Sequence, residues 1–248
     1  MSEWRVLPLT IADQQEHIEQ SEALLAGALP GKPATLYWSM AEPEGIVLGF
    51  SQKPDTINQA ALAARHIPSY HRRAGGTAVL VGPHLLSLDV VLPAGHPLIL
   101  ADVVESYRWF GEAWVAALAR LHVRTSTISP QEAHERQRRA RQGEAARRES
   151  ILRLACYASL SPYEVVAGER KVVGLDMVRR RTGSLLQAGI LLQWHPETLA
   201  HLLAHTREEH TILSQGLPQR AVGLDALAGR VIAPAEVIEA FQHVIREM

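Results

Sequence analysis

A run of apolar segments joined by very short turns in the second half of the chain limits the possible fold more than any other feature. The segments read LRLACYASL, YEVVAG, RKVVGLDMVRRR and SLLQAGILLQ, between residues 152 and 193. Turns this short connect antiparallel strands, since parallel strands need a long crossover between them. The run therefore predicts a four-stranded antiparallel meander.

The rest of the chain predicts helices interspersed with more strands. The segments WRVLPL, TLYWS and GIVLGF have the composition of strands, and SYHRRAGGTAVLVGPHLLSLDVVLP predicts a hairpin whose first strand follows two glycines. Apolar periodicity and stop signals predict helices over residues 11–28, 56–65, 101–121, 196–204 and 233–245. Together these indicate an α+β fold, a mixed and largely antiparallel sheet with flanking helices, in a single domain over residues 1–248.

Charge, hydropathy and cysteine content exclude several classes of protein. The net charge of −1 argues against a general nucleic-acid binder, and no apolar run approaches the roughly 18 residues needed to span a bilayer. The polar N-terminus does not have the apolar centre of a signal peptide. A single cysteine forms no internal disulfide, which is typical of a reducing compartment. We therefore expect a soluble, cytoplasmic protein.

Cys156 and Lys171 are the candidate catalytic residues. A lone cysteine is most often an inert, buried apolar residue, but a thiolate beside a positive charge is a good nucleophile. Lys171 lies on the following part of the meander and is one of only three lysines in a chain rich in arginine. Its ammonium could supply that charge or polarise an acyl carbonyl, although a solvated lysine beside a turn is the simpler interpretation.

A double glycine preceded by two arginines forms the second candidate element. Gly75 and Gly76 follow Arg72 and Arg73 in HRRAGGTAV. Glycines allow backbone amides to approach a ligand closely, and a neighbouring arginine binds carboxylate or phosphate well. The alternative is an ordinary turn. The sequence contains neither GxGxxG before a helix nor a Walker-type loop.

An arginine-rich segment over residues 132–153 precedes Cys156 and allows two interpretations. It is either a solvated or disordered loop, or a docking surface for an acidic carrier protein. It has no aromatic residues to stack on bases, so nucleic acid is not expected. Its arginines are Arg136, Arg138, Arg139, Arg141, Arg147, Arg148 and Arg153.

Histidines are numerous but do not predict a metal centre. His201, His205 and His210 lie closest together among the 12 histidines, without an HExxH motif or a nearby cysteine. We interpret them as part of a surface helix and predict no metal.

Read in order, these motifs resemble the biotin/lipoate A/B protein ligase family, most closely its cysteine-dependent octanoyltransferases and lipoyl-domain amidotransferases. The matching elements are WRVLPL with EALL, VLGFSQ, HRRAGGTAV, Cys156, YEVV, RKVVG and LLQAG. The resemblance implies a class II synthetase-like or biotinyl/lipoyl protein ligase-like sheet enclosing an acyl tunnel. It also implies that Cys156 accepts an octanoyl or lipoyl group and passes it to a lysine of a lipoyl domain, with Lys171 near the reacting carbonyl.

Substrate, partner and cofactor expectations follow from that resemblance. The implied partners are lipoyl domains, from the E2 subunit of a 2-oxoacid dehydrogenase or the glycine cleavage H protein. An acyl carrier protein is a further candidate partner, and no cofactor is implied. The implied substrate-binding residues are Arg72, Arg73, Gly75, Gly76, Thr77, Ala78, Gly174, Asp176, Gln187 and Gly189.

Three positions depart from the family pattern, and two alternative functions stay open. Val81-Gly82 stand where the family pattern has a histidine and an aspartate, and Ala188 stands where it has a histidine. Leu175-Asp176-Met177 replace the small residues that commonly follow KxxG, and the carboxylate of Asp176 is expected to pair with Lys171. One alternative is an ATP-dependent lipoate–protein ligase that lacks or borrows its small accessory domain. The other is a non-catalytic relative that binds acyl groups or carrier domains.

Overall fold

A computed structural model describes residues 4–140 and 145–248, along which short strands and helices are interspersed. The strands in chain order are β1 (Trp4–Val6), β2 (Thr10–Ala12), β3 (Ala34–Ala41), β4 (Gly45–Leu48), β5 (Ser69–His71), β6 (Val79–Val81), β7 (Leu85–Pro93), β8 (Ser126–Thr127), β9 (Val165–Ala167), β10 (Arg170–Arg179) and β11 (Gly183–Leu191). The α-helices are α1 (Gln14–Ala26), α2 (Gln59–Arg65), α3 (Arg108–Arg120), α4 (Pro130–Arg139), α5 (Ala145–Leu152), α6 (Pro196–Leu203), α7 (Arg207–Gly216), α8 (Leu224–Ala228) and α9 (Pro234–Glu247).

Two sheets organise these elements. The main sheet has the order β1-β3-β7-β11-β10-β9-β8, and β2 also pairs with β3. Its β1 and β2 run parallel to β3, whereas its other pairs are antiparallel. A small second sheet has the order β5-β4-β6. The predicted α+β fold with a mixed, largely antiparallel sheet is confirmed.

Three of the four predicted meander strands are present, but the prediction of a first strand around Cys156 was wrong. β9, β10 and β11 form consecutive antiparallel pairs. The segment before them instead completes α5 and then forms a 3-10 turn over Cys156–Ala158. Its buried residues Leu152, Ala155 and Ala158 recur at every third position and pack in one apolar cluster. That spacing suits a helical turn, whereas a strand buries every second residue.

The predicted hairpin was also wrong, because its two strands belong to different sheets. β6 pairs with β4 in the small sheet, and β7 pairs with β3 and β11 in the main sheet. The turn at Gly82–His84 thus carries the chain from one sheet to the other. Local turn signals do not specify which strand becomes the partner.

The central strands β7 and β11 separate two different environments. Every second residue of β7 and β11 packs against α3 and α9, around Trp38, Trp114 and Phe241. The rings of these three residues make edge or tilted contacts with one another. The intervening residues point to the opposite face, towards α1. Successive side chains of a strand face opposite sides, so the sheet has one core face and one face available for a cavity. The residues on the core face are Leu86, Leu88, Val90, Leu92, Leu186 and Ile190.

The arginine-rich segment is helical where the structure describes it, so a disordered loop is excluded for α4 and α5. Ser129 caps α4 by accepting a bond from the Glu132 amide, and Pro130 occupies the first turn. Arg136 pairs with Glu132 and Arg139 with Glu135, both at i,i+4. Arg141 lies outside the described residues. None of the described helices is long and apolar enough to cross a membrane.

Candidate active site

A cavity of about 770 Å³ lies on the face of β7 and β11 opposite the aromatic core, beside α1, the glycine loop and the turn that carries Cys156. It brings together most of the predicted site residues. Those that line it are Arg72, Arg73, Gly76, Thr77, Cys156, Lys171, Gly174, Asp176, Gln187 and Gly189. Gly75 and Ala78 are not part of its lining.

Cys156 begins the 3-10 turn and exposes part of its side chain to this cavity. Its backbone amide donates a 2.9 Å bond to the carbonyl of Ala78, and the Ala78 amide donates a 3.0 Å bond to the Leu154 carbonyl. Ala78 therefore fixes the cysteine through its backbone, although it does not line the cavity. The start of the turn positions the thiol at the junction of the two sheets.

Lys171 lies on β10 with 1% of its surface exposed. Its Nζ is 3.0 Å from the carbonyl oxygen of Cys156 and 2.9 Å from Oε1 of Glu164. The same atom lies 5.4 Å from the centre of the Tyr157 ring. The structure thus brings the two predicted catalytic residues together, with the ammonium bound to the main chain of the cysteine.

Glu164 is a site residue that the sequence interpretation missed. It is 2% exposed, and its carboxylate accepts bonds from the amides of Ser161 at 2.7 Å and Leu175 at 3.3 Å. Burial raises the pKa of Glu164 above its ordinary value, even though the neighbouring ammonium of Lys171 lowers it. The available signal was an acidic residue beside two valines in the apolar segment YEVV.

The expected pairing of Asp176 with Lys171 was wrong. Lys171 makes its ion pair with Glu164, at 2.8 Å, whereas Asp176 lies 3.7 Å from Nε of Arg72. Burial raises the pKa of Asp176, and the nearby guanidinium of Arg72 opposes that shift. The two carboxylates are therefore paired with two different cations.

Arg72 holds the glycine loop in place. Its guanidinium donates bonds to the carbonyl of Gly75 at 3.0 and 2.8 Å and to that of Thr77 at 3.2 Å. Gly76 has φ of +87°, and a Cβ there would lie 2.6 Å from Nη2 of Arg72 and 3.7 Å from Sγ of Cys156. The loop thus passes directly over the thiol, and its tightest point requires glycine.

The two glycines are expected to respond differently to substitution. Gly76→Ala should lower catalytic turnover about tenfold to a hundredfold, because the methyl group displaces Arg72 and strains the loop next to Cys156. Gly75→Ala is the matched control, since a Cβ at Gly75 meets no atom within 4 Å. Initial rates and thermal unfolding of both variants provide the measurement. Equal activity of the two variants would contradict this assignment of the loop.

Gly174 and Gly189 provide the seat for Tyr157. They face each other across β10 and β11, and the tyrosine hydroxyl donates a 2.6 Å bond to the Gly189 carbonyl. A Cβ at Gly189 would lie 2.5 Å from that hydroxyl. The ring of Tyr157, which the sequence interpretation missed, thereby forms a floor beside Cys156 and beneath Lys171.

A buried polar group lies at the α1 side of the cavity. Asp89 is 5% exposed and accepts a 2.9 Å bond from Nε2 of Gln187. Burial raises the pKa of Asp89 above its ordinary value. Gln187 is thus engaged with a side chain of the neighbouring strand. His17 of α1 also lines the cavity and lies 2.8 Å from the hydroxyl of Tyr37.

Two further arginines, Arg73 and Arg153, line the cavity. Arg73 makes an ion pair of 2.5 Å with Glu22, and Arg153 lines the cavity close to Cys156 in sequence. The histidines considered above lie elsewhere, on α6 and α7 and between them, with His201 and His210 in edge contact at 4.4 Å between ring centroids. They line neither the cavity nor its entrance.

Comparison with known proteins gives matches over nearly the whole chain. A family model described as the lipoyl protein ligase A/B catalytic domain matches residues 13–246. Octanoyltransferase LipM of Kyrpidia tusciae is 31% identical over 244 residues, which cover 97% of this chain and 85% of that protein. Octanoyltransferase LipM of Moorella thermoacetica is 28% identical over 240 residues, which cover 95% of this chain and 82% of that protein.

Solved structures with the same fold are lipoate–protein ligases. The bipartite lipoate protein ligase of Thermoplasma acidophilum, studied with its E2 lipoyl domain, has a TM-score of 0.77 at 17% identity. The match covers 100% of this chain and 84% of the ligase chain. A lipoate–protein ligase A bound with ATP has a TM-score of 0.74 at 17% identity, and the match covers 99% of this chain and 85% of that ligase. At this identity the likeness establishes the fold alone.

Proposed function

The chain belongs to the lipoyl protein ligase A/B catalytic domain family, as the order of its motifs predicted, and on that premise we propose that Cys156 relays an octanoyl group to a lysine of a lipoyl domain. The protein is an acyltransferase of protein lipoylation. One observation carries the proposed route. Cys156, the single cysteine, shares a cavity with the buried Lys171, whose ammonium is bound to the backbone carbonyl of Cys156. We place the reaction in the cytoplasm, where a free thiol stays reduced.

The first half-reaction forms a thioester on Cys156. Its sulfur attacks the carbonyl carbon of a donor acyl thioester, the donor's carbon–sulfur bond breaks, and the thiol proton leaves with the departing donor sulfur. The thioester of an octanoyl carrier protein is the proposed donor. An octanoylated lipoyl domain is the alternative; it carries the acyl group as a lysine amide, so in that case the carbon–nitrogen bond breaks and the thiol proton passes to the departing lysine amine. With either donor the sulfur displaces the carrier directly, so the proposed route requires neither ATP nor any other cofactor.

We assign the stabilisation of the oxyanion in that step to two groups. The buried ammonium of Lys171 lies beside the Cys156 main chain in a site of low dielectric constant, where its charge acts strongly. The backbone amides of Gly76 and Thr77 have no acceptor among the described residues, and the Gly76 position borders Sγ of Cys156. We assign these amides as hydrogen-bond donors to the acyl oxygen.

The second half-reaction transfers the acyl group to the acceptor. The amine of a lipoyl-domain lysine attacks the thioester carbon, the carbon–sulfur bond to Cys156 breaks, and a proton of the amine passes to the sulfur. The cavity, at about 770 Å³, falls in the range typical of small-molecule pockets and holds the acyl chain between the two attacks.

Intact-mass spectrometry tests the proposed function. Incubation with octanoyl carrier protein, without ATP, should add one octanoyl group to the chain, and addition of apo lipoyl domain should remove it. A parallel assay of lipoate-dependent ATP–pyrophosphate exchange should give no activity. Exchange activity without a mass adduct would favour the ligase, and neither activity would favour a binding protein.

The arginines of α4 and α5 are proposed to guide an acidic carrier or lipoyl domain to the cavity. Arg138 and Arg148 are exposed, and Arg153 of the same segment lines the cavity. Arg138→Gln/Arg148→Gln should lower kcat/KM about tenfold at low salt, because steering between opposite charges raises the association rate. The effect should vanish as salt approaches about 1 M, where charges are screened.

A matched control separates docking from net charge. Arg65→Gln/Arg120→Gln removes the same charge from two exposed arginines on α2 and α3, outside the cavity lining. Its kcat/KM should stay at the wild-type value at every salt concentration. Identical salt profiles for the two double variants would show that α4 and α5 do not dock the partner.

A further inference from the structure

Three side chains with metal-ligating atoms converge outside the cavity. Glu44, His84 and His195 each offer one such atom, and these atoms lie within 4.8 Å of one another. Glu44 lies between β3 and β4, His84 immediately precedes β7, and His195 follows β11. None of the three lines the cavity, so they have no part in the proposed acyl transfer.

The hydrogen bonding of His84 leaves a buried lone pair. Its Nε2 lies 3.1 Å from the carbonyl oxygen of Leu80, which only accepts, so Nε2 carries the proton and Nδ1 has the lone pair. His84 is 4% exposed, and within the described ranges its Nδ1 has no hydrogen-bond partner.

His195 is oriented in the same way. Its Nε2 lies 3.4 Å from Oε1 of Gln193, and the amide nitrogen of Gln193 donates to Asp225 at 3.0 Å. Gln193 therefore accepts from Nε2, which leaves the lone pair of His195 on Nδ1. A ligating histidine commonly donates its second ring N–H in this manner.

Both lone pairs face the same carboxylate. Oε1 of Glu44 lies 3.5 Å from Nδ1 of His84 and 3.9 Å from Nδ1 of His195. Neighbouring ligands of tetrahedral zinc are about 3.3 Å apart, given bonds of about 2.0–2.1 Å. Three acceptor atoms without a proton between them repel one another, and a cation at their centre would remove that repulsion.

We propose that Glu44, His84 and His195 bind a divalent transition-metal ion, with Zn²⁺ as the preferred ion and water as the fourth ligand. Two imidazoles and one carboxylate form a donor set that zinc accepts readily. Glu44 and His195 are 33% and 39% exposed at their side chains, so an ion can enter from solvent. The ion would join three loops next to Val81 and Leu85, two residues of the cavity wall. This proposal departs from the sequence-based prediction of no metal.

Calorimetry on the full-length, chelator-treated protein tests the site directly. Titration with Zn²⁺ should show one tight site per chain and raise Tm. Glu44→Gln and His195→Gln should each weaken binding at least tenfold and abolish the rise in Tm, while preserving side-chain size and the fold. His84 is left unchanged because its burial links it to folding.

Two controls exclude other zinc ligands. His201→Gln alters an exposed histidine outside the cluster, and Cys156→Ala removes the only thiol; both should retain the tight site. The proposal is overturned if wild type shows no saturable binding. It is also overturned if binding survives Glu44→Gln and His195→Gln, or disappears in Cys156→Ala.

Discussion

Replacement of Cys156 by alanine is expected to abolish transfer of octanoyl groups to a lipoyl domain, lowering the single-turnover rate by about three orders of magnitude or more. The chain contains no second cysteine to take over the relay. The fold should persist, because the anchoring bonds of the turn come from the Cys156 backbone. Rapid-quench assays of labelled octanoyl transfer give the rate, and thermal unfolding checks the fold.

Because Cys156 is the only cysteine of the sequence, the acyl-thioester intermediate is simple to locate. Since only one thiol is present, an octanoyl adduct that hydroxylamine releases under neutral conditions must reside on Cys156. Cys156→Ser is the near-isosteric comparison and should form adduct far more slowly, because a hydroxyl is a weaker nucleophile near pH 7. Wild-type transfer rates in the alanine variant would remove the covalent route from consideration.

Replacement of Lys171 by methionine is expected to reduce both activity and stability. Loss of the ammonium leaves the Glu164 carboxylate buried without a counter-charge, which should lower the free energy of unfolding by about 3–5 kcal/mol near pH 7. Octanoyl transfer should fall at least about a hundredfold, because the acyl oxygen loses its nearest proposed cation. Denaturant unfolding and single-turnover assays measure the two effects.

The stability deficit should depend on pH with a definite sign. Without Lys171, burial raises the folded-state pKa of Glu164 well above its value in the unfolded chain. The folded state then binds the proton more tightly, so the deficit is small at pH values near the unfolded pKa and grows as the pH rises. A deficit that stayed constant from pH 5 to 8 would indicate that Glu164 does not cause it.

The double variant Lys171→Met/Glu164→Gln separates the structural role from the catalytic one. Both side chains become neutral at nearly unchanged size, so most of the lost stability should return. Activity should stay low, since no ammonium is restored. Recovery of transfer in the double variant would show that Lys171 only balances the charge of Glu164.

The sequence predicted the elements that depend on local pattern and missed those that depend on distant partners. The β9 to β11 segment and the glycine loop follow from turn chemistry and apolar alternation. The sequence also predicted that Cys156 and Lys171 lie close together, and in the structure Nζ of Lys171 donates a 3.0 Å bond to the backbone carbonyl of Cys156. The ion pair of Lys171 with Glu164 was missed although the two residues are only seven positions apart on the β9–β10 hairpin, because the alternation of apolar residues does not show that the carboxylate in YEVV is buried.

The wrong prediction of a strand around Cys156 also reflects contacts with residues distant in sequence. A short apolar segment such as that around Cys156 fits a strand or a helical turn equally well, and packing against α6 and α7 decided between them. The proposed metal ligands Glu44, His84 and His195 are likewise far apart in sequence and have no motif spacing, so no sequence pattern groups them. Only the turn from β6 into the other sheet brings His84 close to the other two.

The alternation along β7 and β11 has a consequence for how the acyl specificity of this protein can diversify. Leu85, Leu185 and Gln187 contact the space where a chain would bind, whereas their sequence neighbours anchor the sheet to α3 and α9. Changes in preferred acyl length are therefore accessible through odd-numbered positions of these strands without disturbing the aromatic layer beneath. Within these two strands, the residues that line the cavity and the residues that pack against the aromatic layer are thus mostly different, and Ala188 belongs to both sets.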